Sequence, residues 1–345
     1  MTRSVSIAAC LLAALTLSAC GGASASPGVS AAPTTKLTVV THDSFTLPDE
    51  LLDSFEKKTG YDVTYVAPGD ASSLVNQLIL TKDSPLGDVV FGLDTTVASR
   101  AADEGILADY TSPVLPDSAA DLTAPQLTPV DFGDVCINAD TAWFKDKGLQ
   151  VPATLQDLTD PRYRDLLVVT NPTSSAPGLS FLLATIGSFG EDGYLDYWRA
   201  LKANGVKIAS GWTEAYTGDF SAGEGKGSRP LVLSYATSPA FTVNGDTSTT
   251  QALLGTCFRT VEYAGVLKGA ANAEGAAAFV DFLLSPEVQA AIPENMYMYP
   301  VDTAVELPAD WVRFAPLAET PIEVPTETIG ARRDAWLREW SEAVG

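Results

Sequence analysis

The sequence predicts an α/β chain of two lobes, each a mostly parallel sheet flanked by helices, with a hinge between them. Three observations carry that expectation. β-rich and amphipathic segments alternate from Lys36 to Glu104. A second alternation starts at Leu166. Two extended stretches, Val130–Asn138 and Arg259–Val266, lie where a chain would cross between lobes. Alternating strands and helices favour a parallel sheet covered on its faces, with ligands at the carboxyl ends of the strands.

The elements follow in order. Lys36–Thr41 (KLTVVT) is β-rich, and Asp49–Thr59 is an amphipathic helix closed by Gly60. Tyr61–Ala67 is a second strand and Ser72–Thr81 a second helix, opened by Asp70 as N-cap. Asp88–Gly92 is a short apolar strand, followed by a helix from Thr95 to about Glu104. In the second alternation, Leu166–Thr170, Val206–Ala209 and Leu231–Tyr235 are strands, and Gly178–Ile186 and Gly193–Ala203 are helices. After the extended run near Val261–Val266 come helices at Ala273–Leu284 and from about Ala331 to Val344. Lobe 1 is therefore expected over 36–130 plus 262–345, and lobe 2 over 131–261.

The N-terminus reads as an export signal. Arg3 precedes a small apolar run from Val5 to Leu17, too short to span a bilayer. Leu17-Ser18-Ala19-Cys20-Gly21 resembles a bacterial lipobox. On that reading residues 1–19 are a lipoprotein signal peptide and Cys20 carries lipid; the alternative is a plain secretory signal. Residues 20–35 are poor in large apolar side chains and read as a flexible stalk. With Cys10 removed and Cys20 lipidated, Cys136 and Cys257 remain in an oxidising compartment. A disulfide between them is the leading reading, with two buried free thiols as the alternative.

Composition narrows function. Asp plus Glu total 43 against 21 Lys plus Arg, for a net charge of −22. Such a surface repels phosphate backbones, so nucleic acid is not an expected partner. The chain has one histidine, His42, which leaves no His-rich metal site. No G-x-S-x-G frames a serine, so the expectation is no enzyme, no metal and no cofactor. Gly223–Ser228 lacks the G-x4-G-K-[ST] spacing of a phosphate loop.

Seven segments then occur in register: THDSF (41–45), DVVFGLD (88–94), TSSAPGLS (173–180), SGWTEAY (210–216), LVLSYATSPAF (231–241), SPEV and AAIPEN (285–295) and MYPV (298–301). With the terminal AW-REW helix, they resemble the thiamine-binding proteins of bacterial ABC importers over nearly the whole mature chain. These belong to the periplasmic-binding-protein superfamily, which also holds ferric-iron and polyamine binders. The resemblance implies a bilobal receptor, expected to be a monomer, on the outer face of the cytoplasmic membrane. It would capture thiamine or its phosphates and deliver them to a permease and its ATPase. The alternative is a related receptor for another cation, a polyamine or ferric iron. Tyr297 and Tyr299 resemble paired iron-binding tyrosines only weakly, with Met298 between them.

The resemblance also implies site residues. Family counterparts of Trp212, Tyr235, Ala236, Thr237 and Ser238 touch ligand, as do those of Asp70, Ala71, Ser175 and Ala176. Ala71 stands where the family has glycine, Ala176 where it has threonine, Tyr297 where it has tryptophan and His42 where it has tyrosine. The family's tryptophan after DSF is missing, replaced by Thr46-Leu47-Pro48. Physically, the aromatics Trp212, Tyr216, Tyr235, Phe241 and Tyr297 suit the permanent cation of a thiazolium; ordinary core packing is the alternative for each. The starts of the helices after Gly69 and after Ser175 offer free N–H groups to phosphate, or are plain caps. Asp43 and Asp94, at strand ends, would accept from an aminopyrimidine or balance the cation, or else serve as turn residues. His42 lines the pocket or is structural.

Overall fold

The computed structural model describes residues 34–345. The signal peptide, Cys20 and the stalk as far as Pro33 lie outside the described residues.

The first half of the sheet forms where expected. β1 (Lys36–Thr41) lies between β2 (Asp62–Val66) and β3 (Val89–Asp94), parallel to both. α1 (Asp49–Thr59) connects β1 to β2, with Asp49 and Glu50 in its first turn and Lys57 and Lys58 in its last, the polarity its dipole favours. Gly60 ends it at φ 79°, a left-handed backbone suited to glycine. α2 (Ala71–Leu80) and α3 (Ala98–Asp103) follow.

The chain then enters β4 (Thr128–Asp140), 13 residues long, and later returns as β11 (Phe258–Val266). The second half is again parallel: β5 (Leu167–Thr170) lies between β6 (Lys207–Ala209) and β7 (Leu231–Tyr235). β4 runs antiparallel to β7 on one side and to β11 on the other, and β11 runs antiparallel to β3. The order is therefore β2-β1-β3-β11-β4-β7-β5-β6 in one continuous sheet, not two separate sheets. The reason is length: β4 and β11 are long enough to belong to both halves, so the sheet never breaks at the crossing. Thr34–Gly345 accordingly form one compact unit.

Each half keeps its own core. Val39, Phe91, Val130 and Ala264 pack with α6 (Ala273–Leu283) and α7 (Pro286–Asn295) on one face of the first half. Leu74, Val75, Leu93 and Val261 pack on the other. Val135, Ile137, Val169, Leu233 and Phe258 form the second core. β4 thus leaves the first core at Val130 and enters the second at Val135, and β11 makes the reverse passage between Phe258 and Val261.

α5 (Ala176–Ala203) holds both predicted helices, which meet at a kink where Gly190 leaves helical geometry (φ 70°, ψ 171°). Two differences from the sequence expectation have physical causes. α4 (Thr141–Lys147), α7 and α8 (Ala309–Phe314) were not expected; two are six or seven residues long, too short for a periodic signal. Finally, α9 (Thr326–Val344) departs from lobe 1: its Ile329, Trp336, Trp340 and Val344 are buried in the second core beside α5. It still reaches the first half. Arg333 donates to Ser72 on α2, and a Cβ on Gly330 would meet Ser99 Oγ on α3 at 2.9 Å. α9 is a strap across both halves.

Small strands complete the sheet and its edge: the hairpin β8 (Val243–Asn244) and β9 (Thr247–Ser248), β10 (Thr250–Ala252) on β4, and β12 (Tyr299–Pro300) also on β4. Cys136 and Cys257 are joined by a disulfide between β4 and the residue preceding β11. Trp336, 1% exposed, fills the strap side of the second core. Trp336→Ala is expected to cost about 3–5 kcal/mol by denaturant unfolding, the usual loss for a fully buried large side chain.

Candidate functional site

The strand ends of both halves converge where β4 and β11 cross. One link between the halves is made by Asp70. Its carboxylate does not cap α2, for which no side-chain cap bond forms. Instead Oδ1 accepts from the backbone N–H of Ala176 at 3.0 Å, at the first turn of α5. A carboxylate at a helix N-terminus is favoured by the free N–H groups and the dipole. Ser175 caps the same helix: its hydroxyl accepts from Gly178 N–H and donates to Thr170. Gly178 fits against the end of β5, where a Cβ would meet Thr170 O at 2.6 Å.

Aromatic faces stand on the second-half side. Trp212 is 37% exposed and lies parallel to Tyr216, ring centroids 4.8 Å apart. Its indole N–H donates to Ser234 Oγ at 2.9 Å, and Ser234 in turn bonds Ser238. A π-helical turn over Glu214–Asp219 follows directly, a backbone form common at functional sites. Phe241 and Tyr297, 47% and 50% exposed, meet edge to face at 4.6 Å. Tyr297 sits at φ 59°, and Thr237 Oγ1 donates to its carbonyl at 2.9 Å.

Between them lies a row of carboxyls. In register across three adjacent strands, Asp94 of β3 opposes Glu262 of β11, which opposes Asp131 of β4. Asp131 is fully buried, and neither of its carboxylate oxygens has a hydrogen-bond partner among the described residues. Glu262 Oε2 lies 3.6 Å from His42 Nε2. Gly92 leaves room for that imidazole, since a Cβ there would collide with the His42 ring. Tyr235, last residue of β7, is packed against both cores, and its hydroxyl is pushed well up by burial and by Glu262, Asp70, Asp94 and Asp131 around it.

Burial dominates the charge behaviour. It pushes Asp94 up to about 7, against the two hydrogen bonds from Thr96, and Asp70 up to about 6. It raises Asp131 strongly, reinforced by Glu262. Burial also opposes charge on His42, but Glu262, with Asp70 and Asp43 beyond, outweighs it and the imidazole is raised overall. Glu262 is held low by His42 and by Asp131 despite its burial. Among the described residues no group of three or more His, Cys, Asp and Glu is placed to hold a metal ion.

Several residues implied by sequence therefore meet: Asp70 with Ala176, Trp212 with Ser238 through Ser234, Phe241 with Tyr297, and Asp94 beside Tyr235. Others do not. Ala236 is buried with the disulfide and its N–H donates to Asp134 O, because alternation along the chain turns it away when Tyr235 faces inward. Ala71 is buried in the first core, and Thr237 is consumed in holding Tyr297. Asp43 is exposed, with only its backbone N–H tied, to Gly69 O. Asp131 and Glu262 were missed. Their signal is a lone acid inside an apolar strand, Val130-Asp131-Phe132 and Val261-Glu262-Tyr263.

The family model for bacterial extracellular solute-binding proteins matches residues 84–316. The thiamine-binding periplasmic protein of Escherichia coli (strain K12) is 32% identical over 318 residues, covering 89% of this chain and 93% of that protein. Its counterpart in Salmonella typhimurium is 31% identical over 319 residues, covering 89% and 93%. Among solved structures, a periplasmic thiamin binding protein superposes with a TM-score of 0.79 at 30% identity, covering 90% of this chain and 96% of that one. A ferric binding protein from Campylobacter jejuni has the same fold, at a TM-score of 0.73 and 16% identity.

The raised acids set a pH dependence. A buried carboxyl raised from 3.8 to about 6 or about 7 holds its proton more tightly in the folded state. Its ionisation therefore removes stability as pH climbs from about 4 to the folded value. Raised His42 acts in the same direction: its contribution is lost as pH rises through its folded pKa. Glu262, being lowered, loses its contribution only in acid, below its ordinary 4.5. The thermal midpoint of the ligand-free protein is expected to fall between pH 5 and pH 8, and Asp94→Asn to flatten the fall. A midpoint climbing through that range contradicts this account.

Proposed function

The chain belongs to the bacterial extracellular solute-binding proteins, and from that premise we propose that it captures thiamine outside the cytoplasm for an ABC importer. Proteins of this family bind a small molecule and hand it to a membrane permease; their role is not enzymatic. The observation that carries the thiamine reading is the pairing of aromatic faces with buried carboxyls at one inter-lobe site. Thiamine carries a permanent thiazolium cation and an aminopyrimidine. Aromatic faces attract such a cation by about 0.5–2 kcal/mol each, more when water is excluded. Trp212, Tyr216, Tyr235, Phe241 and Tyr297 supply the faces, and the Asp94–Glu262–Asp131 row supplies compensating charge. The names of the relatives support this ligand over a polyamine or ferric ion.

The phosphorylation state follows from Asp70. Its carboxylate already occupies the N-terminus of α5 through Ala176 N–H, the place a phosphoryl group would take. A phosphate ester and Asp70 compete for one helix end, so free thiamine is the principal ligand.

The lipid anchor belongs to the same proposal. Leu17-Ser18-Ala19-Cys20-Gly21 and the stalk after it support attachment at Cys20, which would keep the receptor at the membrane beside its permease.

Two expected outcomes test these readings. By calorimetry, thiamine binds more tightly than its monophosphate, and Trp212→Ala weakens thiamine by about 5- to 150-fold, or 1–3 kcal/mol. Tight binding of spermidine or ferric ion, with no heat from thiamine or its phosphates, would sink the ligand assignment. For the anchor, Cys20→Ala protein should be found in the medium or remain unprocessed. A processed variant retained in the membrane fraction would speak against lipid at that residue.

A further inference from the structure

The carboxyl row contains a feature that recognition of a cation does not by itself require. Asp131 and Glu262 are directly opposed in register on the two crossing strands. Like charges so placed repel one another. Asp131 is 0% exposed and both its oxygens lack a partner among the described residues, so it has no compensating donor of its own. Charged groups seldom stay ionised in such a place without a partner. The groups facing the pair are His42 beyond β1, Asp94 at the end of β3 and the Tyr235 hydroxyl of β7, with Asp70 before α2 and Asp43 lying beyond, against His42. Arg333 of α9 lies further out, within reach of Asp94. Counting the pair itself, five carboxyls thus surround one imidazole. His42 stands against Glu262, which leaves Asp131 unbalanced.

We propose that Asp131 and Glu262 form a proton-holding cation subsite, which shares one proton while the receptor is empty and gives it up when a cationic ligand is enclosed between the lobes. The proposal rests on the reading above only in taking the ligand to be a cation. The exchange balances: the shared carboxyl O–H breaks, the proton passes to solvent, and the ligand's positive charge replaces it beside the two carboxylates. Site charge is unchanged, so enclosure adds no new buried charge. The raised affinity of Asp131 for its proton accords with this arrangement.

The consequence is specificity for fixed charge. A neutral ligand of the same shape cannot replace the proton and gains nothing from the pair. Affinity for a permanent cation rises with pH while the pair is protonated, by up to about tenfold per pH unit for one proton released.

The test uses the mature protein. Infrared difference spectra of the ligand-free receptor at pH 7 are expected to show a protonated carboxyl stretch that disappears on adding thiamine, is kept in Asp94→Asn and is reduced in Asp131→Asn to the share that Asp94 supplies. Calorimetry of thiamine in two buffers of different ionisation enthalpy should show about one proton released per ligand in the wild type and none in Asp131→Asn, by one-site linkage. Glu262→Gln serves as a second variant if Asp131→Asn fails to fold, and the wild-type spectra need neither. No protonated stretch in the empty receptor, or thiamine heats independent of buffer, overturns the proposal and leaves the thiamine reading standing. If thiamine does not bind, that reading fails instead, and the same two-buffer titration is made with spermidine. A receptor that binds neither, or binds spermidine without releasing a proton, overturns the subsite.

Discussion

The antiparallel pairing of β4 with β11 is the constraint on which the rest of the molecule depends. It makes one sheet of two parallel halves, and the polar features of the crossing lie along its ladder. Asp131 opposes Glu262, Asp134 opposes Arg259, and two residues further on the disulfide joins Cys136 to Cys257. The Asp134–Arg259 pair is bidentate, at 2.8 and 3.0 Å, with Asp134 fully buried. Asp134 also accepts from Ala318 N–H, and Arg259 donates to Ala318 O, so neither charge is left short of partners. Losing one member of such a pair is far costlier than losing both, because a buried charge would be stranded. The ion pair and the disulfide thus hold one register, against the repulsion of the two opposed acids. A slip of one residue would turn every side chain of the crossing to the opposite face.

That register explains why the site can be strongly charged in an already acidic protein. The β3–β11–β4 row is rigid backbone, not loop, so its carboxyls cannot swing apart to relieve repulsion. They are relieved by the imidazole of His42, by Thr96, which donates from both N–H and hydroxyl to Asp94, and by protons. Facing them, the aromatics are set by neutral hydrogen bonds: the Trp212 indole by Ser234, the Tyr297 carbonyl by Thr237. One wall of the site is therefore positioned by covalent geometry and the other by side-chain hydroxyls.

Much of this was legible in the sequence. β1, α1 and β7 lie at their expected bounds, because each combines a clear period with a clear stop such as Gly60. Trp212 and Tyr235 were visible as aromatics at the ends of strand runs. What could not be read was distance through space. Asp70 and Ala176 are 106 residues apart, and neither residue says that the carboxylate of one will sit on the amide of the other. Ala236 looked equivalent to Tyr235 until strand alternation separated them. α9 was recognisable as a helix, but its amphipathic face does not say which core will take Trp336 and Trp340. Asp131 and Glu262 were legible singly as misplaced acids, and their meaning appears only when the two strands are laid side by side.

Tyr297 carries a consequence for how such a receptor can drift. A tyrosine at φ 59° occupies backbone territory that costs an L-residue about 1–2 kcal/mol and a glycine almost nothing. Half of its surface is exposed, so the fold gains little from the ring. Selection for stability alone would therefore push this codon toward glycine or asparagine, with no defect in expression or melting to betray the change. On the proposed reading, in which the ring faces the ligand, selection for ligand capture is what keeps it in place. In a population grown with ligand in excess, this residue is among the first at which recognition would be lost while the protein stayed well folded, a silent failure that a stability-based library would enrich rather than remove.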